Sequence, residues 1–190
     1  AHGPGGQAAL EPDDPHRRRL AYDELLANQL ALAMIRNAAR KRAGRAINGD
    51  GGLRRMLAAA QPYELTEGQR DVLHEIQSDM AKPLRMLRLL QGDVGSGKTV
   101  VALTAMLAAV ESGAQAAFMV PTEILARQHL DTLSELCRDL PIRIQILTGR
   151  NKGRPRLAIL DDLADGQIDI MIGTHALFTE DVVFKDLALT

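Results

Sequence analysis

Apolar positions along the chain follow two different periods. From about Arg17 to Arg42, Leu20, Leu25, Leu26, Leu30, Ala33 and Met34 recur near helical spacing and Gly44 follows as a stop, which predicts one long helix. A second helix is expected to open at Thr66, because "LTEGQRDVLHEIQSDM" sets Thr66 three residues ahead of Gln69, the spacing of a capping box. Beyond that point four short apolar runs appear, "MLRLLQ", "AAFMV", "IRIQIL" and "IDIMIG", each separated from the next by a segment of helical period. Strands that alternate with helices predict an α/β fold, a parallel sheet with helices on both faces. "LAILDDLAD" is excluded from the strands, since Leu157, Leu160, Leu163 and Ala164 keep helical spacing.

Composition changes this picture little. The 190 residues carry 23 basic and 24 acidic side chains, so no global field attracts a nucleic acid and any such partner must be held by local groups. Cys137 is the only cysteine, which rules out an intramolecular disulfide and suits a reducing, cytoplasmic compartment. No apolar run reaches membrane-spanning length. The first residues, "AHGPGGQAALEPDDPHRR", lack an initiator Met and read as a disordered linker over 1–16, so the chain is expected to begin inside a longer protein. The densest basic stretch, "RNAARKRAGR", ends the first helix, where cations suit the helix dipole or could touch phosphates.

The candidate chemistry lies in "GDVGSGKT", residues 92–99. Gly92, Asp93, Val94, Gly95, Ser96, Gly97, Lys98 and Thr99 satisfy G-x-x-x-x-G-K-[ST] between a predicted strand and a predicted helix, the setting that pattern requires. Without Cβ atoms the loop can curl so that its N–H groups face phosphate oxygens beside the positive end of the next helix. Lys98 would reach the β and γ phosphates of ATP, and Thr99 would give a hydroxyl to Mg²⁺. No strand-terminal Asp-Glu pair accompanies the loop, so the nucleotide cradle stands without its catalytic carboxylate.

In this setting the chain resembles the first motor domain of the superfamily 2 helicases, in the RecG family. "GDVGSGKT" resembles motif I, "PTEILARQH" (121–129) motif Ia, "LTGRNKG" (147–153) motif Ib, and "GTHALF" (173–178) the element ahead of motif II. "AYDELLANQLAL" (21–32) resembles the helical connector that precedes the motor, and "LTEGQ" resembles the glutamine motif, with Gln69 on the adenine edge. Transcription-repair coupling translocases share motif I and "GTH", but the wording of "TEILA" and "LTGR" is nearer to the RecG family. The resemblance implies a RecA-like fold: a linker over 1–16, a helical connector over 17–62 and the first part of an ATP-binding domain over 63–190. It also implies truncation before an acidic DExH strand, of which "LALT" resembles the first residues and which pairs beside the phosphate-loop strand.

The implied activity is ATP-driven movement along branched DNA by a monomer. DNA phosphates would meet Pro121, Thr122, Glu123, Thr148, Gly149, Gly173 and Thr174, all at expected strand ends, where ligands of open α/β sheets gather. Two rival classes stand beside this one: a small-molecule kinase, and a nucleotide-binding module without turnover. His129 and His175 have no partner at metal-ligand spacing and are expected to pack or to lie on helix surfaces.

Overall fold

The computed structural model describes residues 15–40 and 43–190, and the side chains of all but 37–40 among them. Two compact units divide the chain between Ala43 and Gly44. In the first, the described residues form one helix, α1 (Pro15–Arg40), which starts two residues before the expected Arg17. The expected linker over 1–16 otherwise lies outside the described residues, as do the side chains of 37–42 in the basic stretch.

The second unit begins earlier than the expected connector boundary at 62/63. α2 (Gly52–Ala60) packs on α4 (Lys98–Glu111), and Leu57 is buried in the main core, so residues 44–62 belong with the sheet domain. What fixes α2 is a carboxylate from the far end of α4. Glu111, its side chain 1% exposed, accepts the Gly51 and Arg54 backbone N–H groups at 2.9 Å and the Arg54 guanidinium at 2.8 Å. It thereby satisfies N–H groups that a helix start leaves without partners.

α3 (Glu67–Met80) opens with the expected capping box: Thr66 Oγ1 accepts the Gln69 N–H at 3.3 Å, and Gln69 Oε1 accepts the Thr66 N–H at 2.9 Å. β1 (Gln115–Met119), α5 (Glu123–Leu136), β2 (Ile144–Leu147), α6 (Gly153–Ala164), β3 (Ile170–Gly173), a 3-10 turn (His175–Phe178) and β4 (Leu187–Leu189) follow. All pairings are parallel, in the order β2-β3-β1-β4.

Side-chain alternation sorts the sheet into two faces. Ala116, Phe118, Ile144, Ile146, Ile170 and Ile172 face a core shared with Leu103 and Leu107 of α4 and with Ala126 and Leu133 of α5. Leu147 and Met171 face the other way, onto Leu160 and Leu163 of α6. Helices therefore cover both faces, as expected, and β3 is fully buried, as an interior parallel strand must be. α4 is covered on its remaining side by α3 through Leu73, Ile76 and Met80. Buried Gln115 ties the layers together, donating to the Leu163 and Ile168 carbonyls and accepting the Asp186 N–H.

Two expectations fail here. "MLRLLQ" is not a strand: Met86 and Leu90 turn inward and Leu87 and Leu89 outward in strand-like alternation, but among the described residues no neighbour forms a ladder with them. "LALT" does supply a strand, but β4 pairs with β1, at one edge of the sheet, and not with the segment before the phosphate loop. Alternation is a property of one segment; a strand needs a second one in register. "LAILDDLAD" is helical, as expected, with Asp162 paired to Arg143 at 2.8 Å.

Candidate nucleotide site and nucleic-acid face

The phosphate-loop residues form a turn that leads straight into α4. Gly95 and Gly97 have φ of 82° and 79°, left-handed values that side chains with a Cβ rarely adopt, so these two positions demand glycine. A Cβ on Gly97 would also collide with Gln69 Nε2, and one on Gly92 would lie 2.7 Å from Ser96 Oγ. The residues thus place a glycine turn at the positive end of a 14-residue helix, a setting that fits a polyphosphate.

Lys98 Nζ donates to the Gly92 and Asp93 carbonyls at 2.7 and 2.6 Å, across the loop from its own helix. Gln69 Nε2 donates to the Ser96 carbonyl at 2.9 Å while Oε1 holds Thr66. Its amide therefore braces the loop from the side as well as capping α3. Thr99 borders an open cavity of about 540 Å³ whose other walls are Leu125, Gln128, His129, Asp131 and Thr132 of α5. Neither Gln128 nor Asp131 is a candidate by sequence, because their place beside Thr99 depends on how α5 and α4 are laid on the sheet. Toward Mg²⁺ the residues offer the Thr99 hydroxyl as the expected ligand. Among the described residues no group of three His, Cys, Asp or Glu side chains gathers to hold a metal.

α4 runs back along the sheet into β1, so its N-terminus lies at the carboxyl edge of the strands. There Met119, Gly173 and Leu147 stand in register across β1, β3 and β2, and the Val120 N–H donates to the Gly173 carbonyl at 2.9 Å. The residues expected at strand ends consequently emerge in one row: Pro121 and Thr122, then Thr174, then Thr148 and Gly149. Thr122 caps α5, its Oγ1 accepting the Leu125 N–H at 3.3 Å. Pro121 and Thr122 are exposed, as is Gly149.

Thr148 and Thr174 are each only 2% exposed. The Thr148 hydroxyl and N–H both meet Asn151 Oδ1, and the Thr174 hydroxyl is buried without a hydrogen-bond partner among the described residues. Glu123 pairs with Arg150 at 2.7 Å, an arginine the motif reading does not single out. Arg156 grips Asp181 and Thr179 at 2.8 to 3.1 Å, fastening α6 to the segment after the 3-10 turn. With Arg156 and Thr179 beside it, the Asp181 carboxyl is held below the usual range, chiefly by its Thr179 hydrogen bond. His129 sets its ring edge-on against Phe118 at 4.9 Å, and His175 is exposed on the 3-10 turn.

Comparison with known proteins agrees with this arrangement. RecG ATP-dependent DNA helicases from Bacillus subtilis and Escherichia coli K12 are 47% and 43% identical over 175 residues, covering 91% and 92% of this chain and 26% and 25% of their own. A solved structure of RecG bound to a three-way DNA junction superposes with a TM-score of 0.82 at 46% identity, over 90% of this chain and 24% of that one. The chain therefore spans about a quarter of the length of the relatives it matches. The fold is the RecA-like helicase fold of that structure. Since the DEAD/DEAH box helicase family also matches residues 66–189, from the α3 cap to the last strand, the chain belongs to the DEAD/DEAH box helicase family.

Proposed function

We propose that this chain is the nucleotide-binding part of an ATP-dependent DNA translocase that remodels branched DNA, working as a monomer in the cytoplasm. The observation that carries the reading is one edge of one sheet. The Gly95–Gly97 turn, with Lys98 and Thr99 behind it, opens at the same edge as the loops that follow β1, β2 and β3. A nucleotide and a nucleic-acid backbone can thus be held by loops of a single layer.

Lys98 would exchange its two loop carbonyls for β and γ phosphate oxygens, a stronger, charge-assisted pairing. Thr99 would offer its hydroxyl to a Mg²⁺ bound with the nucleotide. Gln69, linked at present to Ser96, would face the adenine edge. The DNA backbone would pass over the exposed Pro121, Thr122 and Gly149, with Glu123 held by Arg150 beside them and Gly173, Thr174 and Thr148 buried beneath the row, a surface suited to sequence-independent contact. The unit that contains α1 would serve as the connector and the unit that begins at Gly44 as the first part of the motor. Binding of nucleotide, orientation of its phosphates and seating of DNA are the tasks these residues perform. A Mg²⁺ bound there would supply charge stabilisation at the phosphates.

Calorimetric titration of the 190-residue chain with Mg-ATP tests the nucleotide half. Binding that disappears in Lys98→Ala supports it; equal binding by both proteins sinks it.

A further inference from the structure

Just ahead of α2 the chain runs without regular structure through "INGDG", residues 47–51. This stretch holds two dipeptides, Asn48-Gly49 and Asp50-Gly51, in which a side-chain carbonyl carbon stands one residue ahead of a backbone nitrogen that no Cβ shields. Such a nitrogen can close on that carbon to form a succinimide ring. Asn48 alone among the asparagines precedes a glycine.

The structure separates the two dipeptides. The Gly51 N–H is committed to Glu111 Oε2 at 2.9 Å, and Asp50 Oδ1 accepts the Gly52 N–H at 2.7 Å, so both reacting groups of Asp50-Gly51 are held. Asn48 is exposed, and neither its side-chain amide nor the Gly49 N–H has a hydrogen-bond partner among the described residues. The two groups that must meet at Asn48-Gly49 are therefore free to do so. Their flanks are not. On one side Ile47 is buried and its N–H donates to the Met80 carbonyl at 2.8 Å. On the other, the Gly49 carbonyl accepts Arg54 Nη2 at 3.1 Å, and a Cβ on Gly49 would stand 2.3 Å from Glu111 Oε2. Main chain lengthened between two such fixed points has to displace one of them.

We infer that Asn48 is a site of spontaneous deamidation, with water as the co-reactant. The Gly49 nitrogen loses its proton to hydroxide and bonds to Asn48 Cγ; the Cγ–Nδ2 bond breaks and Nδ2 leaves as ammonia. Water then opens the succinimide at either carbonyl, and no oxidant or reductant takes part. Opening at the side-chain carbonyl gives aspartate. Opening at the main-chain carbonyl gives isoaspartate, whose main chain is longer by a methylene. Either product brings a negative charge into a loop that already carries Asp50 and adjoins Glu111, and isoaspartate in addition shifts the Gly49 carbonyl that Arg54 holds. The reaction thus loosens α2, one of the elements packed on the helix that carries Lys98 and Thr99.

The test is peptide mapping by mass spectrometry of the 190-residue chain aged in mildly alkaline buffer, native and in urea, with aspartate and isoaspartate resolved by chromatography. In the native chain Asn48 is expected to convert ahead of Asn28 and of Asn151, whose Oδ1 is engaged by Thr148, and at a rate proportional to hydroxide. Isomerisation of Asp50 should be suppressed in the native chain relative to urea. Asn48→Gln, which would need a larger ring, should abolish the change. In aged native protein, amide exchange in α2 is expected to be about tenfold faster, the equivalent of one hydrogen bond to a charged group. Asn48→Asp, which carries the charge without the methylene, should show a smaller increase.

An Asn48 that converts no faster than Asn151, or far more slowly in the native chain than in urea, overturns the site. Isoaspartate at position 48 with unchanged exchange in α2 overturns the consequence for α2. Asp50 that isomerises as fast in the native chain as in urea overturns its protection by Glu111, and with it the contrast between the two dipeptides.

Discussion

Replacing Glu111 by alanine should be among the most damaging single changes in the sheet domain, although Glu111 touches no proposed ligand. Its carboxylate accepts two backbone N–H groups at the start of α2 and is paired with Arg54, itself only 18% exposed. Removing one partner of a buried pair costs about 3–5 kcal/mol, because the other charge is left uncompensated. Arg54 retains some access to water, so the lower end applies: about 3 kcal/mol for Glu111→Ala. For a chain of this size that corresponds to a melting temperature lowered by about 6–12 °C. Glu111→Gln keeps the volume and one acceptor oxygen, and should lose about half as much. The comparison is Arg143→Ala, whose partner Asp162 is 46% exposed and whose own side chain is 55% exposed, with an expected loss below about 1 kcal/mol. Urea unfolding of the three variants and the wild type gives the free energies directly. If Glu111→Ala costs no more than Arg143→Ala, the anchoring of α2 by α4 is wrong as described.

Three further outcomes are expected. Gly97→Ala forces a Cβ into a left-handed position and against Gln69, so Mg-ATP binding should be lost in calorimetry with about 1–2 kcal/mol of stability; unchanged binding would contradict the cradle geometry. Burial pushes the Cys137 thiol up to about 11, so Ellman's reagent at pH 8 should label the native chain far more slowly than the urea-unfolded one, and rapid labelling in buffer would refute its place in the core. Hydrogen bonds from Lys82 and then Arg88 hold the Asp79 carboxyl below its ordinary value, so its contribution is present above the unfolded value near ~3.9 and lost as pH falls through the folded one. Asp79→Asn should accordingly flatten the acid limb of a stability-against-pH profile, and identical limbs for both proteins would refute the pairing.

Features written in adjacent residues could be read from the chain. The capping box needs only Thr66 and Gln69, three residues apart; the loop needs only Gly95 and Gly97 at two left-handed positions; β1, β2 and β3 are short apolar runs between helical segments. What escaped depends on partners far away in sequence. Glu111 at a helix C-terminus reads as an unfavourable surface acid until α2, 57 residues earlier, is laid across it. Arg150 is an ordinary loop arginine until β2 and β1 bring it to Glu123. Residues 86–90 carry the alternation of a strand, but pairing is decided by the neighbour, and their sequence holds no information about that neighbour.

α4 has a mechanical consequence. It is enclosed by α2, α3 and the sheet, and nine of its fourteen residues are buried, several completely. A rod so clamped, about 21 Å long, can neither tilt nor slide without breaking contacts along its whole length. The backbone atoms of Lys98 and Thr99 at one end and of Glu111 at the other therefore hold a fixed separation, and backbone movement at the site falls to the six residues ahead of the helix, 92–97. The helix is the anvil, and the loop and the side-chain tips around it are the moving parts.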